Sequence, residues 1–231
     1  MNELMQRVIV RADAAEAVNL ARFFKTGPGE YGEGDRFLGI KVPVTRSVVK
    51  EYWKECSWDD LEECLASEWH EVRLAGLLAL VQRFHHAKKD PVEQQRCVDF
   101  YLNHLSAVNN WDLVDLSCYE ILGTWYLTHD AAPLYTLARE GRTIWEQRIG
   151  IVSTMMFSAM GGWTTPMPLP TSCCTIRTTS STRRWVGSCA KPASATRPVC
   201  ASSLPRVTAP CPAPCCAMPS RNSLPPTGKH F

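Results

Sequence analysis

The sequence EVRLAGLLALVQRF, residues 71–84, decides the fold class of this chain. From Leu74 to Phe84, apolar side chains fall on nearly every face of a helix, which is typical of an inner helix covered on several sides. No segment before residue 160 alternates like a half-buried strand, whereas almost every segment has helical periodicity. These patterns predict an all-α domain built around this helix.

The same periodicity predicts further helices on both sides of this one. The predicted helices cover residues 3–24, 44–55, 58–67, 69–87, 91–106, 110–128, 131–139 and 143–158. Ser57 and Asp90 stand where N-caps are expected, and Pro91 follows Asp90 at the first helical position.

A weak internal repeat relates two of these helices. The segment EVRLA, residues 71–75, resembles EQRIG, residues 146–150, at an offset of two units of about 37 residues. Helix pairs at this period are typical of a HEAT-like α-α superhelical solenoid. An irregular helical bundle is the alternative.

Acidic residues divide the chain into two parts. All 23 Asp and Glu precede residue 160, whereas residues 160–231 hold eight Lys and Arg, 12 of the 16 Pro and seven of the 11 Cys. Residues 1–159 carry 17 Lys and Arg and a net charge of −6. They are therefore not a uniformly basic nucleic-acid-binding domain, and any contact with DNA requires a local basic face. We predict a helical domain over 1–159 and a separate tail over 160–231.

The sequence also indicates the cellular compartment of the protein. The N-terminus lacks the features of a secretory signal, and no apolar window is long enough to cross a membrane. Cys56, Cys64, Cys97 and Cys118 lie within helical patterns, which suits reduced, buried thiols. The cysteines of the tail lack the paired spacing of a zinc site. We expect a cytoplasmic monomer without membrane association, metal or cofactor.

The densest group of chemically active side chains is NNWDLVD, residues 109–115. With Asn110 as N-cap, Trp111 and Asp115 stand four residues apart on one helix face. In a structural interpretation, Asp112 and Asp115 accept hydrogen bonds from first-turn amides and Trp111 covers the core. In a functional interpretation, an indole wall beside an anion suits a cationic or cation-like species. The core stripe predicted for this helix is Val114, Cys118, Ile121 and Trp125.

A second candidate is Arg148 in IWEQR, residues 144–148. It shares a helix face with Trp145, and an arginine on an inner helix can grip a phosphate with two hydrogen bonds. The alternative is a structural ion pair between Arg148 and Glu146 or Asp115. A third segment, FLGIKVPVTR at residues 37–46, is by itself a loop and a helix start.

Together, the three segments resemble the AlkD-type alkylpurine DNA glycosylases, repair proteins built from HEAT-like helical repeats. The matching motifs stand in the family's order: FLGIxxPxxR at 37–46, WDxVD at 111–115 and IWxQR at 144–148. The resemblance implies that the partner and substrate is double-stranded DNA containing alkylated purines.

The resemblance further implies hydrolysis of the N-glycosidic bond of N3- or N7-alkylated purines, whose cationic bases leave easily. Asp115 matches the carboxylate that stabilises the positive charge developing at C1′. Trp111 matches an aromatic residue that packs against the deoxyribose of the lesion. Arg148 matches a basic residue of the DNA-facing surface, and Lys41 and Arg46 are further candidate DNA-binding residues. The family is known for not requiring base flipping.

The chain departs from the family in its last part. The family's segment KAVGWxLRE is expected within residues 160–231 and is absent. Residues 181–187, STRRWVG, can be encoded by TCC ACA AGG CGG TGG GTT GGN, which reads His-Lys-Ala-Val-Gly-Trp with codons starting one base earlier. We therefore expect a frameshift near residues 158–162 and an out-of-frame, largely disordered tail.

These observations favour a DNA repair glycosylase whose activity is impaired because its C-terminal repeats are missing. A non-catalytic HEAT-like DNA-binding or scaffold protein is the leading alternative. A plain helical domain without a nucleic-acid role is the other.

Overall fold

The computed structural model describes residues 1–159, which form an all-α solenoid. The α-helices are α1 Glu3–Ile9, α2 Ala14–Phe23, α3 Val42–Tyr52, α4 Trp58–Leu65, α5 His70–His86, α6 Pro91–Asn103, α7 Trp111–Asp115, α8 Ala132–Glu140, α9 Ile144–Ser153 and α10 Met155–Ala159. A 3₁₀ turn covers Leu105–Ala107 and a π-helical turn covers Tyr119–Gly123. The predicted fold class is confirmed for this part of the chain, and the tail predicted over 160–231 lies outside the described residues.

Helix α5 is the centre of the first half of the structure. It packs against α1, α3, α4 and α6 and also contacts α7. Its side chains from His70 to Val81 and Phe84 are buried. The prediction of an inner helix covered on several sides is therefore confirmed.

Helix α9 has the corresponding position in the second half. It packs against α7, α8, α10 and the π-helical turn. Gly150 allows the close approach of α8, because a Cβ at this residue would lie 2.5 Å from the backbone nitrogen of Ala138. The repeated segments EVRLA and EQRIG thus belong to the two inner helices.

The prediction of one helix over residues 3–24 is wrong. The structure has α1 and α2 instead, separated by a break at residues 10–13. The Asp13 carboxylate accepts hydrogen bonds from the backbone N–H groups of Ala15 and Glu16, and its own N–H donates to the carbonyl of Leu38. A side chain that caps a helix start competes with continuation of the preceding helix, which periodicity alone does not register.

The predicted helices 110–128 and 143–158 are also interrupted. The first ends as an α-helix at Asp115 and resumes through the π-helical turn, and the second is broken at Thr154. The predicted core stripe is nevertheless buried as expected. Ser57, Asp90 and Asn110 cap α4, α6 and α7 with their side chains, so these three predicted caps are confirmed.

The four cysteines within residues 1–159 are free and buried, as predicted. In the same part of the chain, no helix is both long and apolar enough to span a bilayer.

Candidate active site

Trp111 and Asp115 are the first and last residues of the short helix α7. The side-chain oxygen of buried Asn110 accepts a hydrogen bond from the backbone N–H of Trp111 at 2.9 Å. Leu113 and Val114 between them are fully buried. Because the inner face anchors the helix, the partly exposed Trp111 and Asp115 side chains are held at its outer edge.

Asp115 forms a bidentate ion pair with Arg148 of α9. The Arg148 Nε donates to Oδ1 of Asp115 at 3.0 Å, and Nη2 donates to Oδ2 at 2.7 Å. The Asp115 side chain is 24% exposed and that of Arg148 is 10% exposed. Arg148 therefore fixes the orientation of the Asp115 carboxylate, part of which remains accessible to solvent.

This ion pair is one of the two interpretations that the sequence leaves open for Arg148. A direct contact between Arg148 and DNA stays a prediction. Because the guanidinium is buried against Asp115, Arg148 is well placed to orient that carboxylate.

Aromatic rings extend the outer edge of α7 into a surface. Trp111 stacks on Phe24, with 5.3 Å between ring centroids, and meets the edge of Phe23 at 6.0 Å. The Trp111 indole also interacts with the phenol of Tyr31, which packs edge-on against Trp145 at 5.9 Å. We call Phe23, Trp111, Tyr31 and Trp145 the aromatic surface; Phe23 is 63% exposed.

Burial raises the pKa of Tyr31, with a smaller opposing effect from Trp111 and a further increase from the charge of Asp112. The phenol therefore stays neutral at physiological pH. It adds a polar, uncharged group to the aromatic surface.

A network of buried polar side chains binds the inner face of α7. The Nδ1 of His70 lies 2.7 Å from Oδ2 of Asp35, and its Nε2 lies 2.8 Å from Oδ2 of Asp112. Asp35 also accepts hydrogen bonds from Arg73 at 2.5 Å and from Asn110 at 3.3 Å. All five side chains are buried, so this network joins the loop before α3, the start of α5 and the start of α7.

The network contains a charged histidine. Burial alone lowers the pKa of His70, but its hydrogen bonds to Asp112 and Asp35 and the charges of those carboxylates outweigh it and raise the pKa to about 9. Burial alone would raise the pKa of Asp35, whereas the hydrogen bond from His70 and the charges of His70 and Arg73 lower it. At neutral pH the network therefore holds an imidazolium between two carboxylates.

The loop that precedes α3 is fixed by a single buried glutamate. Glu71 is 1% exposed, and its carboxylate accepts hydrogen bonds from the backbone N–H groups of Leu38, Gly39 and Ile40 at 2.8–3.0 Å. Gly39 has a φ of +87°, and a Cβ there would lie 2.0 Å from the carbonyl oxygen of Asp13. Only glycine fits this close approach without displacing α2.

Lys41 and Arg46 lie in and after this loop, on the exposed side of α3. Lys41 is 69% exposed and its Nζ lies 3.4 Å from a carboxylate oxygen of Glu16. Lys41 also lines a shallow groove of about 270 Å³ together with Arg11 and Glu16. Helix α3 packs chiefly against α1 and α5, so these two cations are not brought into contact with Asp115.

The repeated segments use their polar residues in partly similar ways. Glu71 accepts hydrogen bonds from loop amides, and Glu146 accepts one from the backbone N–H of Arg142 at 2.7 Å. Arg73 and Arg148, two residues further on, each bind an aspartate from another element. The two arginines thus have matching partners, whereas Glu71 binds a distant loop and Glu146 binds an amide only four residues before it.

Four residues that shape this site cannot be recognised from the sequence: Phe23, Phe24, Asp35 and His70. The two phenylalanines are visible only as an aromatic pair at the end of a helix, and His70 only as the residue before Glu71. Their partners are distant in sequence, and Asp35 and Asp112 stand 35 and 42 residues from His70. Among residues 1–159, no group of three or more His, Cys, Asp or Glu side chains is arranged to hold a metal ion.

Comparison with known proteins found one family. The family model described as DNA alkylation repair enzyme matches residues 4–179, about three quarters of the chain. The match extends beyond residue 159, where the sequence predicts the end of the helical domain, and stops before the segment RRW at 183–185. No curated protein and no solved structure gave a significant match.

The family match agrees with the three motifs at 37–46, 111–115 and 144–148, all of which lie inside it. As the description of the family states, its members repair DNA alkylation damage. On this match, the chain belongs to the family of DNA alkylation repair enzymes.

Proposed function

We propose that this chain carries the site of a DNA glycosylase that hydrolyses the N-glycosidic bond of N3- or N7-alkylated purines in double-stranded DNA. Asp115 and Trp111 are the catalytic residues of this proposal. The observation that carries it is the Asp115 carboxylate, which is partly exposed beside the aromatic surface and oriented by two hydrogen bonds from Arg148.

The chemistry of such lesions matches a carboxylate of this kind. Alkylation at N3 or N7 makes the purine cationic, so the bond between C1′ and N9 breaks with its electron pair moving to the base and neutralising it. The positive charge then develops at C1′ of the deoxyribose. A fixed anion stabilises that charge, and a water oxygen forms the new bond to C1′ while its proton leaves to the carboxylate or to solvent.

The aromatic surface supplies the complementary contact. The face of a tryptophan attracts a cation through its quadrupole and also covers the apolar face of a sugar. Trp111 and Asp115 stand one helical turn apart, so a nucleotide against the indole lies within reach of the carboxylate. The partial exposure of both side chains suits a lesion approached at the surface of the duplex.

Repair by transfer of the alkyl group to a cysteine is disfavoured for the described part of the chain. Such a reaction needs a reactive thiolate. Burial raises the pKa of Cys56 to about 11 and the pKa values of Cys64, Cys97 and Cys118 to about 12. These four thiols are therefore protonated and enclosed by the core.

DNA binding must come from local cations, because residues 1–159 carry a net charge of −6. We propose Lys41 and Arg46 as phosphate contacts, since both are exposed beside the loop that Glu71 holds rigid. Arg148 is proposed to act at the same surface chiefly by orienting Asp115. We expect the protein to act as a monomer of HEAT-like repeats.

A base-release assay on duplex DNA containing N7-methylguanine tests the proposed activity. It compares the chain as given with a version in which the reading frame after residue 159 is restored, and unmethylated DNA of the same sequence is the control. We expect the restored chain to release N7-methylguanine and the chain as given to release it more slowly, because fewer repeats hold the duplex against Asp115.

The assay also separates the alternatives. A restored chain that binds duplex DNA without releasing the base would support the non-catalytic DNA-binding protein. A restored chain that neither binds nor cleaves would contradict the proposed function altogether.

The altered reading frame is a prediction about the gene. We expect the coding DNA, sequenced through codon 187, to read HKAVGW in the alternative frame at residues 181–187, with a one-base change upstream. A gene in which only the present frame encodes a family-like segment would contradict this prediction, and it would make the restored chain an unsuitable reference.

A further inference from the structure

We propose that His70 is a positioning residue, which sets the orientation of α7 and thereby of Trp111 and Asp115 through the buried network. This inference rests on the proposed function of that helix. His70 does not contact the substrate site itself, because it is 2% exposed and lies behind α7.

The first connection between His70 and the site is polar. His70 uses both ring nitrogens, one on Asp35 at 2.7 Å and the other on Asp112 at 2.8 Å. Asp112 is the residue directly after Trp111, and its other carboxylate oxygen accepts a hydrogen bond from the backbone N–H of Leu113. The imidazole is therefore bound to the first turn of the helix that ends in Asp115.

The second connection is aromatic. The His70 ring stacks on Phe37, with 4.4 Å between centroids, and lies 5.1 Å from Phe24. Phe24 in turn stacks on Trp111 at 5.3 Å. A displacement of His70 thus reaches Trp111 both through its neighbour in sequence and through the ring beneath it.

The network depends on protonation of His70, because both ring nitrogens must donate a hydrogen bond to a carboxylate. The charged groups facing the imidazole are Asp35 of the loop before α3 and Asp112 of α7, and Arg73 of α5 binds Asp35 from the other side. The two aromatic rings that pack against the imidazole, Phe24 and Phe37, are uncharged. A neutral imidazole donates only one hydrogen bond and would leave one buried carboxylate facing a lone pair.

This arrangement has a defined dependence on pH. The pKa of His70 is about 9 in the folded protein and about 6.5 in an unfolded chain. The stabilisation by the charged ring is thus complete below pH about 6.5 and is lost as pH rises through about 9. Release of Asp112 at high pH is then expected to change the position of Trp111.

The test uses the full chain in its given and frame-restored forms, with His70→Gln as the main variant. His85→Gln is the matched control, because His85 lies on the same helix, is 38% exposed and pairs with Glu120 away from α7. At saturating N7-methylguanine DNA, we expect His70→Gln to slow base release about 10- to 100-fold, since small misplacements of reacting groups have effects of this size. The Kd for undamaged duplex should change less than about threefold, because the exposed cations are untouched.

A spectroscopic measurement makes the outcome independent of activity. The indole ¹H–¹⁵N signal of Trp111, assigned by its loss in Trp111→Phe, should titrate with a midpoint near pH 9 in the unmutated chain and in His85→Gln, but not in His70→Gln. A Trp111 signal that stays constant from pH 7 to 10 overturns the proposal, even if His70→Gln fails to fold. If the signal titrates but the restored chain releases no base, the proposed function fails while the positioning by His70 stands.

Discussion

Asp115→Asn in the frame-restored chain is expected to slow the release of N7-methylguanine by about 10²- to 10³-fold. The substitution keeps the shape of the side chain but removes the negative charge that we propose to stabilise the positive charge developing at C1′. Loss of one preorganised electrostatic contact to a transition state has an effect of this size. Single-turnover release at saturating DNA measures it directly.

The same substitution should leave most of the fold intact. Removing one partner of a fully buried ion pair costs about 3–5 kcal/mol, but Asp115 is 24% exposed, so solvent compensates part of the loss at Arg148. Asp59→Asn on the exposed face of α4 is the control; it should leave the rate unchanged and, because Asp59 lies in the first turn of α4, should cost less than about 1 kcal/mol. A release rate that Asp115→Asn leaves undiminished would refute the catalytic role of this carboxylate.

Glu71→Ala is expected to be the most destabilising single substitution proposed for this protein. It removes the carboxylate that accepts hydrogen bonds from the N–H groups of Leu38, Gly39 and Ile40. Each of these three buried donors left without a partner costs about 1–3 kcal/mol, so the free energy of unfolding should fall by about 3–9 kcal/mol. This is a large part of the stability of an ordinary domain, and urea unfolding at pH 7 measures it.

Two further variants test whether the lost stability of Glu71→Ala comes from the hydrogen bonds of this carboxylate. Glu71→Gln keeps one carbonyl oxygen, so we expect a loss between zero and that of Glu71→Ala. Glu68→Ala removes a glutamate that is 57% exposed and pairs with Arg36 at the surface, and it should cost less than about 1 kcal/mol. If Glu71→Ala costs no more than Glu68→Ala, the loop does not depend on this carboxylate.

The sequence predicts the placement of Trp111 and Asp115 on one helix face better than it predicts the ion pair between Asp115 and Arg148. Trp111 and Asp115 lie four residues apart, so helical periodicity and the Asn110 cap suffice to place them on one face. The ion pair with Arg148 spans 33 residues, and the sequence leaves it as one of two interpretations. It depends on the packing of α9 against α7, which no local pattern specifies.

The helix predictions fail for a related reason. Apolar periodicity continues through residues 10–13 and 116–117, although the α-helix is broken at both places. At the first, Asp13 caps α2 and its N–H binds Leu38 of a distant loop. At the second, the buried hydroxyl of Ser117 binds the carbonyl of Leu113 and the phenol of Tyr101. Each break therefore has one partner that only the folded chain brings near, Leu38 at the first and Tyr101 at the second.

The sequence by itself determines that residues 71–84 form an inner helix, because an almost fully apolar helix is stable only when it is covered on all sides. It also determines family membership, because the family model matches residues 4–179 of the sequence. Tertiary structure alone decides the charge of His70, the orientation of Asp115 and the rigidity of the loop that Glu71 holds. The free energy of a buried charge depends on the few groups around it in space, and here the partners that contact one another come from elements 31–42 residues apart.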